Sequence, residues 1–332
     1  MEACVLHAQQ SMRKEIRDLP ACADDEVLLE ISYCGICRTD RKSYAIGQRD
    51  LHMPRILGHE IVGYIYQLGK NVEGYVPGQR VVLHPGVFCG SCDACSAGMD
   101  QLCAQMRIFG FHLDGGFAQY CLIPADGVRN RILIPIPDQL SSELAALAEP
   151  LACAINLQES MPTAAENLLI FGGGALGTLS ALLWRKLGMS QIAIIEPNRD
   201  KRNALSALGF SCYPSVTALA TRFDLAISCC PDVEAFQSAM EALKPRGSFG
   251  YFSGLTADKG IDIKTLNQIH YKELRVVGSY GCALHHTECA VNLLEKGICD
   301  DVSISVIAPE EMIAKTSKLE SEESIFTMIK MK

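Results

Sequence analysis

No uninterrupted apolar run in this sequence approaches the roughly 18 residues that a membrane-crossing helix requires. The opening stretch Met1-Glu2-Ala3-Cys4-Val5-Leu6-His7 has neither the basic start nor the long apolar segment of a secretion signal. Excess positive charge is also missing. The net charge is −8, so the overall field repels phosphate backbones and argues against nucleic-acid binding. There is no internal repeat, low-complexity tract or long linker. These absences set aside membrane and nucleic acid as partners and point to a cytoplasmic protein. What the chain has is length, cysteine and glycine-punctuated strands. Its 332 residues exceed one typical core, so roughly two domains are expected. A composition 48% hydrophobic and 20% charged is that of a globular protein. Sixteen cysteines would suggest a disulfide framework in a small secreted chain. In a long chain without a signal they read as reduced thiols, a few of them reserved for metal.

Residues 26–31 and 61–69 read as strands, and a turn at Gly78 leads into another. This dense strand-and-glycine pattern suggests a compact, partly closed β domain. Within it lies Cys34-Gly35-Ile36-Cys37-Arg38-Thr39-Asp40, followed further on by Gly58-His59-Glu60. A thiol, an imidazole and a carboxylate on tight turns form a borderline-soft ligand set of the kind zinc prefers. Thr39 sits two residues from Cys37, where its hydroxyl can reach an alcohol bound to such a metal. Taken singly, each residue reads rather as a buried cysteine, a satisfied core histidine or a surface glutamate, because free cysteine is often just a small core hydrophobe. A second cluster changes the weighting. Cys89, Cys92, Cys95 and Cys103 follow as C-x2-C-x2-C-x7-C. Four thiolates in one loop suit a closed tetrahedral zinc site that holds the loop and does no chemistry. A disulfide pair and an iron–sulfur cluster are the alternatives, and the short spacing of the first three cysteines favours zinc.

From about residue 151 the pattern changes to alternating strand and helix. Residues 167–171 form a buried-type strand, and Gly172-Gly173-Gly174-Ala175-Leu176-Gly177 follows directly, with a helix expected over 178–187. This is G-x-G-x-x-G in the strand–turn–helix setting of a dinucleotide site. Gly172 makes the turn, Gly174 lets backbone approach a pyrophosphate, and Gly177 packs helix on strand; Ala175 and Leu176 are assigned to the same cofactor loop. The next strand, 191–195, ends at Glu196, which can accept hydrogen bonds from both adenosine ribose hydroxyls and would repel a 2′-phosphate. NAD is therefore favoured over NADP, with Lys201 and Arg202 nearby weakening the preference. Residues 223–227 and 247–252 read as later strands of one parallel sheet, and Phe252, Ser253, Gly254 and Ser279 are assigned to the cofactor. Earlier, Ser141-Ser142-Glu143 opens a helix that carries Glu149 late in its apolar run, just before Pro150.

The motifs CGICRTD at 34–40, GHE at 58–60, the cysteine loop at 89–103, DGGFAQY at 114–120, EP at 149–150 and GGGALG at 172–177 occur in this order. In them the chain resembles the zinc-dependent medium-chain alcohol and polyol dehydrogenases, the sorbitol and threonine dehydrogenase-like branch, across essentially its whole length. The resemblance implies an α/β fold with a GroES-like β-rich catalytic domain over 1–150. It further implies a Rossmann NAD-binding domain, a doubly wound parallel sheet, over 151–278, and a return segment over 279–332 that completes the catalytic domain. It implies Cys37 and His59 as catalytic zinc ligands and Glu149 in the third-ligand position, where some alcohol dehydrogenases have cysteine. Glu60 would be the neighbouring carboxylate that exchanges onto the metal, Asp40 would orient His59, and Cys34 would be structural. Two zinc ions per chain, NAD and a homodimer or homotetramer follow from the same resemblance. Thr39 would pass a proton outward. Many relatives place histidine three residues later, and here Lys42 stands instead, to finish that relay or to attract an anionic substrate. Tyr280-Gly281-Cys282 stands where sorbitol dehydrogenases show an arginine–tyrosine pair. The implied reaction is hydride transfer between NAD and a secondary alcohol of a polyol, sugar, cyclitol or similar polar substrate. A simple alcohol or aldehyde is the alternative substrate, and a zinc- and nucleotide-binding protein without turnover is the non-enzymatic alternative.

Overall fold

The structure, a computed structural model, describes the chain apart from residues 220, 256–259, 318–323 and 332. Asn167–Phe171 lies inside a six-stranded sheet whose order is Ser211–Tyr213, Gln191–Ile195, Asn167–Phe171, Phe223–Ser228, Leu243–Tyr251 and Arg275–Gly278, all paired in parallel. Parallel strands need crossovers, which the helices Ala175–Lys186, Arg199–Ala207, Val233–Ala242 and Ile263–Tyr271 supply. Packing on both faces explains the unbroken apolar run Leu168, Leu169 and Ile170, each 0% exposed. Chain order reverses between Asn167–Phe171 and its neighbour Phe223–Ser228. A doubly wound sheet opens a ligand crevice at such a switch, outside the carboxyl ends of the strands.

The second large sheet is mostly antiparallel. It runs Leu133–Pro135, Arg80–Leu83, Glu60–Leu68, Val27–Gly35, Phe326–Lys330 and Ile304–Ile307, with Tyr120–Ile123 paired to the first half of Val27–Gly35. Residues late in the chain thus re-enter the sheet built by its first part. This is the α/β class expected, a β-rich unit beside a doubly wound parallel sheet. Among the described residues, no helix is long and apolar enough to cross a membrane.

One boundary differs from expectation. The helix Ala148–Glu159 runs straight across residue 150, where the first unit was expected to end. It is buried almost throughout because it belongs to one apolar cluster that extends from Val62 and Val82 of the antiparallel sheet to Leu168 and Ile170 of the parallel one. Both sheets pack on this helix, so it belongs to neither alone. The expected single helix begun at Ser141 is in fact two, Ser142–Ala145 and Ala148–Glu159. Glu149 accordingly lies in a first turn, where Pro150 is tolerated because first-turn N–H groups have no intrahelical partner.

Candidate active site

The stretch after Cys37 forms the helix Arg38–Ile46, a longer element than the tight turn expected. Asp40 makes this possible. Its Oδ2 accepts the Cys37 N–H at 2.9 Å, and its Oδ1 accepts the Gly58 N–H at 3.1 Å. One carboxylate, 0% exposed, therefore ties the start of the helix to the turn that presents His59. Oδ1 of the same carboxylate lies 3.4 Å from His59 Nδ1. Glycine shapes both sides. Gly58 has φ +92°, and a Cβ there would meet Phe117 at 2.6 Å and Cys34 Sγ at 2.8 Å. At Gly35 a Cβ would fall 1.8 Å from Glu60 Oε2. Cys34 is a buried wall beside this turn.

Ligand atoms of Cys37, His59 and Glu60 all lie within 4.8 Å of one another. His59 Nδ1 is buried without a hydrogen bond, yet it faces Asp40. A metal on Nε2 would leave the proton on Nδ1, with that carboxylate as its acceptor. The donor set therefore fits zinc. Thr39 Oγ1 stands 3.6 Å from Cys37 Sγ. Burial pushes the Cys37 thiol up, opposed by His59. Burial, and next the charge of Glu149, push Glu60 up to about 8. His59 is disfavoured as a cation by burial, but Asp40 and Cys37 outweigh that and hold it well above the usual imidazole range.

Glu149 falls into a different group. Its carboxylate clusters with the thiols of Cys153 and Cys282, and Cys153 Sγ donates to its Oε1 at 3.4 Å. It still acts electrostatically on Glu60. Cys153 is a neighbour of Glu149 that sequence reasoning missed, whereas Cys282 belongs to the 280–282 stretch already singled out there. Lys42 is half-buried on the helix Arg38–Ile46, and no hydrogen bond or ion pair joins it to Cys37, His59 or Glu60 among the described residues.

The cysteine loop is built for metal. Sγ–Sγ separations are 3.5 Å for Cys92–Cys95 and Cys89–Cys103 and 3.9 Å for Cys89–Cys95. A tetrahedron of thiolates around zinc has edges of about 3.8 Å. Backbone N–H groups point at the sulfurs, from Cys89 and Gln105 to Cys103 and from Cys92 to Cys89. Backbone donors at Ser91 and Cys92, then Cys103, lower Cys89 to about 6, whereas burial raises Cys95 to about 12. All sixteen cysteines are free. The same loop carries Asp100, buried, whose Oδ2 accepts the Leu284 N–H at 2.9 Å.

At the carboxyl edge of the parallel sheet each motif glycine has its own reason. Gly172 has φ +98°, and a Cβ on Gly177 would fall 1.9 Å from Gly172 O. Nothing lies within 4 Å of a Cβ on Gly174, so the turn is open on the side where a pyrophosphate would approach. Ala175 and Leu176 begin the helix Ala175–Lys186. Glu196 accepts the Gly173 and Asn198 N–H groups, both at 2.8 Å. Arg202 donates to the carbonyls of Glu196 and Pro197. Lys201 lies in the first turn of Arg199–Ala207. Phe252, Ser253 and Gly254 follow the strand Leu243–Tyr251, with the Ser253 N–H donating to Ser228 O, and Ser279 has a buried hydroxyl without a hydrogen bond. A dinucleotide fits this edge. Burial raises the Cys230 thiol, just beyond Phe223–Ser228, and the charge of Arg38, next to Cys37, reaches it to oppose that rise, so the Cys37 cluster and the nucleotide edge adjoin.

Comparison with known proteins agrees with this geometry. Residues 23–138 match the family described as "Alcohol dehydrogenase GroES-like domain". A 2-dehydro-3-deoxy-L-galactonate 5-dehydrogenase of Pseudoalteromonas atlantica is 30% identical over 287 residues, 83% of this chain and 82% of that protein. The chain belongs to the zinc-dependent medium-chain alcohol and polyol dehydrogenase family. It is by family an oxidoreductase of CH–OH donors, with a GroES-like unit and a Rossmann unit. An L-threonine 3-dehydrogenase of Xanthomonas oryzae pv. oryzae is 28% identical over 81% of each chain. A Sinorhizobium meliloti 1021 protein described as a zinc-binding dehydrogenase and bound to NADP superposes with TM-score 0.88 at 26% identity, covering 99% of this chain and 98% of its own.

Proposed function

We propose that this dehydrogenase uses zinc and NAD to oxidise a secondary alcohol on a polyol, sugar, cyclitol or related polar substrate. The observation that carries the proposal is the convergence of Cys37, His59 and Glu60 within 4.8 Å, in a chain that also has the open glycine turn. Cys37 and His59 would hold the zinc, with Glu60 or Glu149 supplying a carboxylate, and the glycine turn with Glu196 would hold the nucleotide. When bound, zinc supplies a Lewis acid that ionises a hydroxyl at neutral pH, and the nicotinamide supplies a hydride acceptor. The chain does the rest. Asp40 fixes His59 and the helix start together, and Phe111 lies against the His59 ring at 5.5 Å between centroids, which limits water. Thr39, whose Oγ1 is 3.6 Å from Cys37 Sγ, would take a proton from the substrate hydroxyl and pass it outward. Lys42 is assigned to the outer end of that path or to an anionic substrate group.

The two named relatives act on a sugar acid and on threonine, both carboxylates with a secondary alcohol, so hydroxy acids belong among the candidates. The cysteine loop would hold a second, structural zinc. The test is a zinc-replete panel of polyols, cyclitols, sugar phosphates, sugar acids and amino alcohols with NAD and with NADP, read by absorbance of the reduced cofactor. Turnover of at least one such substrate with NAD, removed in Cys37→Ser together with one zinc, is the expected result. Full turnover in Cys37→Ser would show the catalytic assignment to be wrong.

A further inference from the structure

Glu149 presents two carboxylate oxygens, and among the described residues only Oε1 is hydrogen-bonded. Cys153 Sγ donates to it at 3.4 Å. An ionised carboxylate can only accept, so the proton in this bond is the thiol's. The spacing makes the contact. Cys153 lies one helical turn after Glu149, and both side chains leave the same face of Ala148–Glu159. Burial raises the Glu149 carboxyl and the charge of His59 opposes that rise, so Glu149 lies within electrostatic reach of the Cys37–His59 set. Glu60 feels Glu149 in turn.

The thiol is itself closely held. Cys153 is 7% exposed, and its sulfur, the Cys282 sulfur and a Glu149 oxygen lie within 4.8 Å of one another. Cys282 is kept in place by its own segment, in which Asn156 Nδ2 donates to Gly281 O at 2.9 Å and Asp100 accepts the Leu284 N–H. The Cys282 proton has a separate outlet. Cys282 Sγ is 3.8 Å from Thr287 Oγ1, and that hydroxyl is 2.8 Å from His84 Nδ1. His84 Nε2 faces the Asp100 carboxylate at 3.9 Å, which places the ring proton on Nε2 and leaves Nδ1 to accept from Thr287. Thr287 Oγ1 is then free to accept from Cys282, so the second thiol does not compete for Glu149.

We propose that Cys153 is a positioning residue for Glu149, its thiol holding Oε1 so that Oε2 is the oxygen presented to the metal of the Cys37–His59 set. The inference rests on the reading of Glu149 as a ligand of that metal. A glutamate side chain has several rotatable bonds, and a donor that fixes one oxygen removes freedom the metal would otherwise have to remove. The thiol keeps its proton throughout. Because S–H is a weak donor, its contribution lies at the lower end of what a hydrogen bond to a metal ligand supplies.

The test reads zinc affinity of the intact protein by competition with a chelator, following the ion that is absent from Cys37→Ser. Cys153→Ala should weaken that affinity by about tenfold, the low end for a residue that orients a ligand. Cys153→Ser keeps a donor and should recover most of the loss. In a Glu149→Ala background Cys153→Ala should have no further effect, because the two side chains act as one unit. With cobalt at the same site, the visible absorption bands should shift in Cys153→Ala and return in Cys153→Ser. If the alanine variant does not fold, Cys153→Val and Cys153→Thr, alike in shape and differing in the donor, give the same comparison. Affinity unchanged or raised without the donor, or an equal loss in the Glu149→Ala background, overturns the proposal and leaves the ligand reading intact. Glu149→Ala with unchanged zinc affinity would overturn that reading, and this inference with it.

Discussion

Gly35 lacks a side chain where Glu60 needs the room. A Cβ built there lies 1.8 Å from Glu60 Oε2, 2.9 Å from its Cδ and 3.0 Å from its Cβ, so the three nearest atoms all belong to Glu60. Gly35→Ala must therefore swing the carboxylate out of the cluster or shift the strand, at about 1–3 kcal/mol of overpacking. Steady-state kinetics should show kcat/KM reduced by about tenfold or more with the fold retained. Unchanged kinetics would mean that Glu60 is a bystander. The charge state of Glu60 gives a second prediction. Its folded value, about 8, lies above the ordinary 4.5, so the native state binds this proton more tightly than the unfolded chain. The associated stability is complete below about 4.5 and is lost as pH rises through about 8. Zinc works the other way, because its ligands must lose their protons. Calorimetry with chelator should show Tm falling from about pH 5 to 8, while the extra Tm conferred by zinc grows over the same range. A chelated protein equally stable across that range would contradict the buried, protonated Glu60.

At the scale of elements, the helix Arg38–Ile46 and the turn at Gly58 depend on one another through Asp40. Asp40→Ala strands two backbone N–H groups, at about 1–3 kcal/mol each, and removes the partner facing His59. Zinc affinity at the Cys37 site should fall about 10- to 100-fold, measured by competition with a chelator, alongside a lower denaturant midpoint. A stability loss with unchanged zinc affinity would reduce Asp40 to a cap. The sequence disclosed some elements and hid others for definite reasons. Gly172, Gly174 and Gly177 were readable because each answers a local demand: a positive φ, an open face, a 1.9 Å approach. Strands such as Gln191–Ile195 were readable because burial on both faces leaves a plain apolar run. The break at Ala146–Leu147 was not, since both residues continue the apolar run and tertiary packing alone divides the helices; Pro150 was the one local hint. The pairing of Cys153 with Cys282 left no trace at all, because neither residue's neighbours in sequence carry information about the other.

For the whole molecule, the cysteine loop is more than a remote clasp. Through Asp100 it holds Leu284, and through Leu284 the 280–284 segment that places Cys282 beside Glu149 and the Tyr280 carbonyl on Asn156. Tyr280 and Arg49 also sense one another electrostatically, which brings the segment 47–53 to the same rim. A metal lost from Cys89, Cys92, Cys95 and Cys103 should therefore disturb substrate binding as well as stability. Asp100→Ala tests the link without touching a thiol. It leaves the Leu284 N–H unsatisfied, and stability should drop by about 1–3 kcal/mol. KM should rise more than kcat falls, because the zinc donors Cys37 and His59 stay in place. Asp100→Asn keeps an acceptor oxygen for Leu284 and should recover most of both losses. If the asparagine variant fares no better than alanine, or if KM is indifferent to either change, the loop serves only its own fold and the coupling between the cysteine loop and the substrate cleft is absent.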